Sequence, residues 1–192
     1  DPVGVAAAVV LLIPVAGYHV RLLVASENGD PAPVLLADLV TLLRRGVGGL
    51  VVSACYLALP AVLLVVTVYG ALYTDRVPDP NSFSSLGIYV GSTTVLSLSL
   101  VGAYLLPIAL ATYGETGSLR SAFSRRTLRS VSTKGAYFAG WTAAAGLFGF
   151  VAAIASSVAG ATRSGPIVAT ALLAYASAVT VHVWGRALSR VR

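Results

Sequence analysis

The chain has 192 residues, of which 57% are hydrophobic and only 10% charged, with a net charge of +6 and a mean hydropathy of +0.85. A soluble domain carries about 25% charged residues, so this composition excludes a surface that faces water on all sides, and lipid is the expected solvent for much of the chain. Cys55 is the single cysteine. It rules out an intrachain disulfide and a cysteine-built zinc or iron–sulfur centre, and its apolar surroundings predict a small buried hydrophobe.

A helix needs about 20 apolar residues to cross the hydrocarbon core. The opening run DPVGVAAAVVLLIPVAGYHV has no basic stretch ahead of it and no small-x-small cleavage site, so it reads as a structural span and not as a signal peptide. That span covers residues 3–23 and holds Pro14. After the turn ENGDPAP, residues 34–45 place Asp38, Thr41 and Arg45 on one helical face and leucines on the rest. This piece is too short to span and predicts a helix lying in the membrane interface. The second span is 47–69 with Pro60, and the third is 86–109 with Pro107. Proline is tolerated in such helices where neighbours satisfy the carbonyl it frees. Residues 118–133, within the basic stretch GSLRSAFSRRTLRSVSTKG, predict a second interfacial helix. The fourth span, 136–158, and the fifth, 166–184, are joined by a tight turn at TRSGP. The expected architecture is therefore all-α: a single-domain, polytopic membrane bundle of about five transmembrane helices plus short interfacial helices.

Charge orients the bundle. Eleven of the 13 basic residues fall on one side in this scheme: Arg21, Arg44, Arg45, the cluster Arg120, Arg125, Arg126, Arg129 and Lys134, and the tail Arg186, Arg190 and Arg192. The positive-inside rule predicts that this side, with the C-terminus, faces the cytoplasm of a cell membrane, and that Asp1 lies outside. No aromatic residue interleaves with the arginines of 117–135 to stack on bases, so anionic lipid headgroups and not nucleic acid are the expected partners of that stretch.

Small residues mark expected packing faces, because helices in lipid associate by close backbone approach. Ala145, Gly149, Ala153, Ser157 and Ala161 recur every fourth residue in the fourth span, and Gly87 and Gly91 make a similar pair in the third. These faces are expected to pack other spans of the bundle; separately, a membrane-protein partner or self-association of the chain is expected. Ser92, Thr93, Thr94, Ser97 and Ser99 give the third span a hydroxyl-rich character. It predicts an ordinary helix–helix contact, or alternatively the lining of a polar cavity. Offset by 86 residues, Tyr18, Ala25 and Ser26 match Tyr104, Ala111 and Thr112, as two parallel repeats would.

Ionisable residues are absent from the middle of every span apart from histidine near two ends. No carboxylate pair, nucleophile motif or nucleotide fingerprint is present, so neither catalysis nor a cofactor or metal is expected. His19 and His182 lie close to the basic ends of their spans, each followed by an arginine, Arg21 and Arg186. The four form a candidate interfacial contact for lipid or ligand. Two histidines without a third ligand are a weak metal pattern; rings at headgroup level, like Tyr18, Tyr104 and Trp184, are the plainer expectation.

Several short elements share an order found elsewhere: Gly17-Tyr18 with Arg21, the turn Gly29-Asp30-Pro31, Tyr56 with Pro60, Tyr104 to Pro107, Gly117 to Phe123, and the closing Gly185-Arg186. In this respect the chain resembles a membrane family of halophilic archaea, domain-of-unknown-function family 4013. The resemblance implies an archaeal membrane protein and brings no catalytic residue or substrate. The expected role is structural, in assembly, or accessory. The alternative is a small-solute transporter or channel, which predicts a cavity lined by Ser92, Thr93 and Ser97.

Overall fold

The computed structural model describes the backbone of residues 2–31, 33, 38–73 and 83–192, and the side chains of 12–31, 33, 38–66 and 90–192. Among the described residues there are six α-helices and one 3-10 turn: α1 (Pro2–Asn28), α2 (Leu39–Tyr73), α3 (Phe83–Thr116), the turn Ser121–Phe123, α4 (Arg125–Ser132), α5 (Gly135–Ala161) and α6 (Gly165–Ser189). No strand occurs among them. Helices α1, α3 and α6 run in one direction and α2 and α5 in the other. The pairings His19–Ser177 and Ser26–His182 fix α1 parallel to α6, and the approaches of Gly48 to Tyr113 and Gly102 to Tyr56 fix α2 antiparallel to α3.

Four helices are long and apolar enough to cross a membrane among the described residues: Leu39–Val66, Val90–Thr116, Gly135–Ala161 and Gly165–Ser189. The structure thus supports a membrane-type bundle but not the expected count of about five; residues 3–11 of the first expected span lie outside the described side chains. The interfacial helix expected over 34–45 is not separate. Residues 34–37 lie outside the described residues, and from Leu39 the chain continues straight into α2. Asp38 starts that helix, its Oδ1 accepting from the Thr41 backbone N–H at 3.1 Å, as an N-cap does. The second interfacial helix is broken in two. Ser124 adopts extended backbone (φ −65°, ψ 104°) to cap α4, and the 3-10 turn precedes it.

Packing uses other small residues than those expected. A Cβ on Gly17 would fall on the carbonyl oxygen of Leu42, and one on Gly46 on that of Ile13, so α1 and α2 cross backbone to backbone. On its other side, α1 meets α6 at Gly185, where a Cβ would lie 2.7 Å from the Leu23 carbonyl oxygen. By contrast, the stripe in α5 faces away from the chain's own helices. Ala145 is half-buried, Gly149, Ala153, Ser157 and Ala161 are exposed, and nothing lies within 4 Å of a Cβ on Gly149. The buried row of α5 is Tyr137, Ala144 and Ala155; one residue of offset turns a face by about 100°, which separates the stripe from it. In α3, Gly87 lies outside the described side chains and Gly91 is half-buried. Ser92, Thr93, Thr94 and Ser97 are exposed and Ser99 is half-buried, so this row turns outward among the described residues. Thr94 and Ser99 donate to the Val90 and Val95 carbonyls at 2.8 Å. Cys55 is exposed on α2, contrary to the expected burial.

The prolines explain two aromatic anchors. Pro107 has no N–H and frees the carbonyl of Ala103 one turn back; the Trp141 indole Nε1–H donates to it at 3.1 Å. The next carbonyl, of Tyr104, accepts from the Tyr137 hydroxyl at 2.7 Å. Tyr137 is fully buried, and its ring packs at 5.1 Å from that of Tyr104. These bonds fasten α5 to α3 where the two backbones do not otherwise touch closely.

Two consequences are open to test by thermal unfolding in detergent. Gly46→Leu should destabilise the protein by about 3 kcal/mol, the upper range for overpacking, whereas Gly149→Leu should leave the melting curve of the single chain unchanged. Trp141→Phe should cost about 1–2 kcal/mol by orphaning a buried carbonyl, and much less in a Pro107→Ala background, where the helix supplies its own N–H.

Candidate functional site

Three parallel helices end together, and their ends gather the polar groups. α1 ends at Gly29 (φ 78°) and α3 at Gly117 (φ 67°). Both glycines take the left-handed conformation that terminates helices. The Asp30 N–H returns to the Ala25 carbonyl at 2.8 Å, and the Gly117 N–H to that of Tyr113 at 2.7 Å. The last turns carry Glu27 and Glu115. Arg192, just past α6, bridges them: Nη1 donates to Glu27 Oε1 at 3.0 Å and to Glu115 Oε2 at 2.9 Å. Its Nη2 donates to the Thr112 hydroxyl, which in turn donates to the Ile108 carbonyl at 2.8 Å. The Glu27 side chain is 5% exposed, and its Oε2 is buried without a hydrogen-bond partner. One guanidinium thus serves two carboxylates, one of them almost wholly withdrawn from water. A cleft of about 530 Å³ opens beside this cluster, lined by Thr112, Glu115, Lys134 and Arg192 among others.

The histidines sit on the α1–α6 seam. His19 Nδ1–H donates to the Val15 carbonyl at 2.7 Å, and its Nε2 pairs with the Ser177 hydroxyl at 3.0 Å. His182 Nδ1 pairs with the Ser26 hydroxyl at 2.7 Å. Each ring therefore binds a serine of the facing helix. Ser26 lies seven residues beyond His19 on α1, so the two rings sit at levels about 10 Å apart along parallel helices. They do not form the paired site. Among the described residues no three of His, Cys, Asp and Glu come together as a metal site. Arg21 is half-buried, with Nη1 buried and unpartnered; Arg186 is exposed and reaches toward the turn at Gly29. Tyr104 and Trp184, expected as headgroup-level rings, pack against the core. Two hydrogen bonds from Thr41 hold the Asp38 carboxyl below the usual carboxylate range. Its support of the α2 start is therefore present above that range and lost as pH falls through the lowered value.

The basic residues converge on this same end. The 3-10 turn is strapped to α2 by the Tyr56 hydroxyl, which donates to the Ala122 carbonyl at 2.9 Å, and by stacking of Tyr56 on Phe123 at 5.4 Å. The Tyr104 hydroxyl donates to the Ser132 carbonyl at 2.7 Å and ties the other end of α4 to α3. Leu128 and Val131 face the core, and Val131 is buried, while Arg125, Arg126 and Arg129 are exposed. Arg44, whose carbonyl accepts from the Tyr113 hydroxyl at 3.3 Å, lies beside them on the same end of the bundle. Arg163 is at the opposite end, in the turn between α5 and α6.

Sequence reasoning missed Glu27, Glu115, Thr112 and Arg192 as a set. A signal existed in the two helix ends themselves: Glu27 stands two residues before Gly29, and Glu115 two residues before Gly117.

Apolar helices of spanning length, with polar groups gathered at their ends, define the class as a multi-pass membrane helical bundle. More particularly, the chain belongs to the family described as protein of unknown function DUF4013, whose family model matches residues 3–161 and so covers α1 to α5. No curated protein and no solved structure matches it.

The ion-pair cluster makes a quantitative prediction. Arg192→Gln should cost about 2 kcal/mol in thermal unfolding at neutral pH, less than a fully buried pair because Arg192 and Glu115 keep some solvent. Adding Glu27→Gln should recover most of the loss, since the uncompensated carboxylate is then gone.

Proposed function

We propose that the protein is a five-span integral protein of the cell membrane with a structural, assembly or accessory role and no chemistry of its own. In this reading α1 is the fifth span, and the end carrying α4 and Arg192 lies in the cytoplasm. The observation that carries it is the division of labour within the bundle. Glycines and aromatic rings fill the contacts between helices, while charged groups collect at one end and lock helix termini to each other. The hydroxyl row of α3 lies on the outside, which favours a packed scaffold over a carrier lined by that row. Eleven basic residues on the α4 side support the cytoplasmic assignment through the positive-inside rule, and anionic headgroups are the natural counter-charge there.

Topology tests the reading. In a Cys55→Ala background, a membrane-impermeant maleimide should label Ser164→Cys in intact cells. It should label Ser130→Cys and Ser189→Cys only after permeabilisation. Labelling of Ser130→Cys and Ser189→Cys from opposite faces would sink the arrangement.

A further inference from the structure

The strap formed by the 3-10 turn and α4 has two unlike sides, and each borders an unfilled space. Its outer side carries Arg125, Arg126 and Arg129, which with Ser130 and Thr133 line a cleft of about 570 Å³. None of these arginines has a carboxylate within ion-pair distance among the described residues, where both ion pairs belong to Arg192. The sequence places no acidic residue after Glu115, and Glu115 is already engaged. The positive charge of the strap is therefore unbalanced by the described residues.

The inner side of the same strap roofs an apolar groove of about 320 Å³ between α2 and α3. Phe123 and Leu128 form the roof, and Leu59, Pro60, Val101 and Gly102 line the walls. The groove has a local cause. Pro60 frees the Tyr56 carbonyl, and α3 approaches that carbonyl at Gly102, where a Cβ would lie 2.9 Å from the oxygen. A side chain is missing where a helix surface would ordinarily be filled. The groove opens outward, with Leu59 57% and Val101 54% exposed, on apolar stretches of α2 and α3 long enough to cross a membrane.

We infer that the strap and groove together form a binding site for one anionic phospholipid, with the phosphate on Arg125, Arg126 and Arg129 and an acyl chain in the α2–α3 groove beneath Phe123 and Leu128. The charge complementarity selects an anionic headgroup, and the apolar groove on the other side of the same strap selects a lipid over a soluble phosphate. Because Tyr56 and Tyr104 fasten the strap at both ends, the arginines are presented by the protein in a fixed place and are not merely drawn to a charged surface. The inference rests on the membrane reading proposed above.

The experiment uses the full chain, reconstituted in nanodiscs of phosphatidylcholine containing a minor share of phosphatidylglycerol, then transferred to mild detergent. Lipid retained per protein is counted by native mass spectrometry. The wild type should keep phosphatidylglycerol in preference to phosphatidylcholine. Arg125→Gln/Arg126→Gln/Arg129→Gln should lower that retention about tenfold or more, the effect of removing several charges that face an anionic group. Val101→Trp, which fills the groove at an exposed position and leaves every arginine in place, should lower it to a similar degree with an unchanged melting temperature. Wild-type retention in either folded variant would overturn the site, as would release of the lipid by inorganic phosphate alone. If the triple variant fails to fold, Val101→Trp decides. Extraction of the protein from membranes by alkaline carbonate would sink the membrane reading itself; a carbonate-resistant protein with no lipid preference would sink only this inference.

Discussion

Close backbone approach at α1 is the constraint on which the rest of the structure depends. Hydrocarbon provides no hydrophobic drive between apolar helices, so contact has to come from van der Waals fit. Gly17 and Gly46 let α1 and α2 cross with each glycine against the other helix's carbonyl, and Gly185 lets α6 settle on α1 at Leu23. Gly114 brings α3 in against Val20 and Val24. With α1 held by three neighbours, its last turn is where Glu27, Glu115 and Arg192 can meet, and its seam with α6 is where each histidine finds a serine.

Proline and aromatic residues solve a second problem of the same environment. A buried carbonyl without a donor costs more in a medium that contains no water. The carbonyls around Pro107 are satisfied by Trp141 and Tyr137 from α5, so a helix defect becomes the attachment point of another helix. At Pro60 the solution differs: the backbone of α3 comes close through Gly102, and an open apolar notch results. Two prolines in similar positions thus lead to an internal contact in one case and a groove in the other.

The carboxyl-terminal end of the parallel helices has a logic of its own. Both α1 and α3 stop at a left-handed glycine and place an acid in the turn before it. Those acids attract Arg192 and leave the arginines of α4 without internal partners. The inner cluster thus joins helix ends through Arg192, while the outer strap keeps its arginines exposed. That the DUF4013 match ends at residue 161, while α6 supplies both Ser177 and the segment leading to Arg192, shows that the matched region's polar residues are completed by the helix beyond it.

Much of this was legible in the residues themselves. Length and apolarity located α2, α3, α5 and α6, the basic residues marked one end, and Gly29 marked a turn. The interfacial helix at 34–45 was misread because its polar face of Asp38, Thr41 and Arg45 sets it apart from the apolar run that follows. The glycines beyond it, Gly46, Gly48 and Gly49, are where α1 and α3 press on one continuous helix. The regular stripe at Ala145, Gly149, Ala153 and Ser157 looked like a packing face because its spacing is correct. Spacing says that residues share a face, but not which way that face turns.

The sequence by itself determined the medium, the helical class and the end at which charge collects, because those depend on composition and order along one dimension. Only the tertiary structure decided which glycines are crossings, which carbonyls the aromatics serve, and which arginine is spent on carboxylates. Those outcomes depend on the rotation and offset of whole helices against one another, quantities set jointly by all the contacts and written in no single segment.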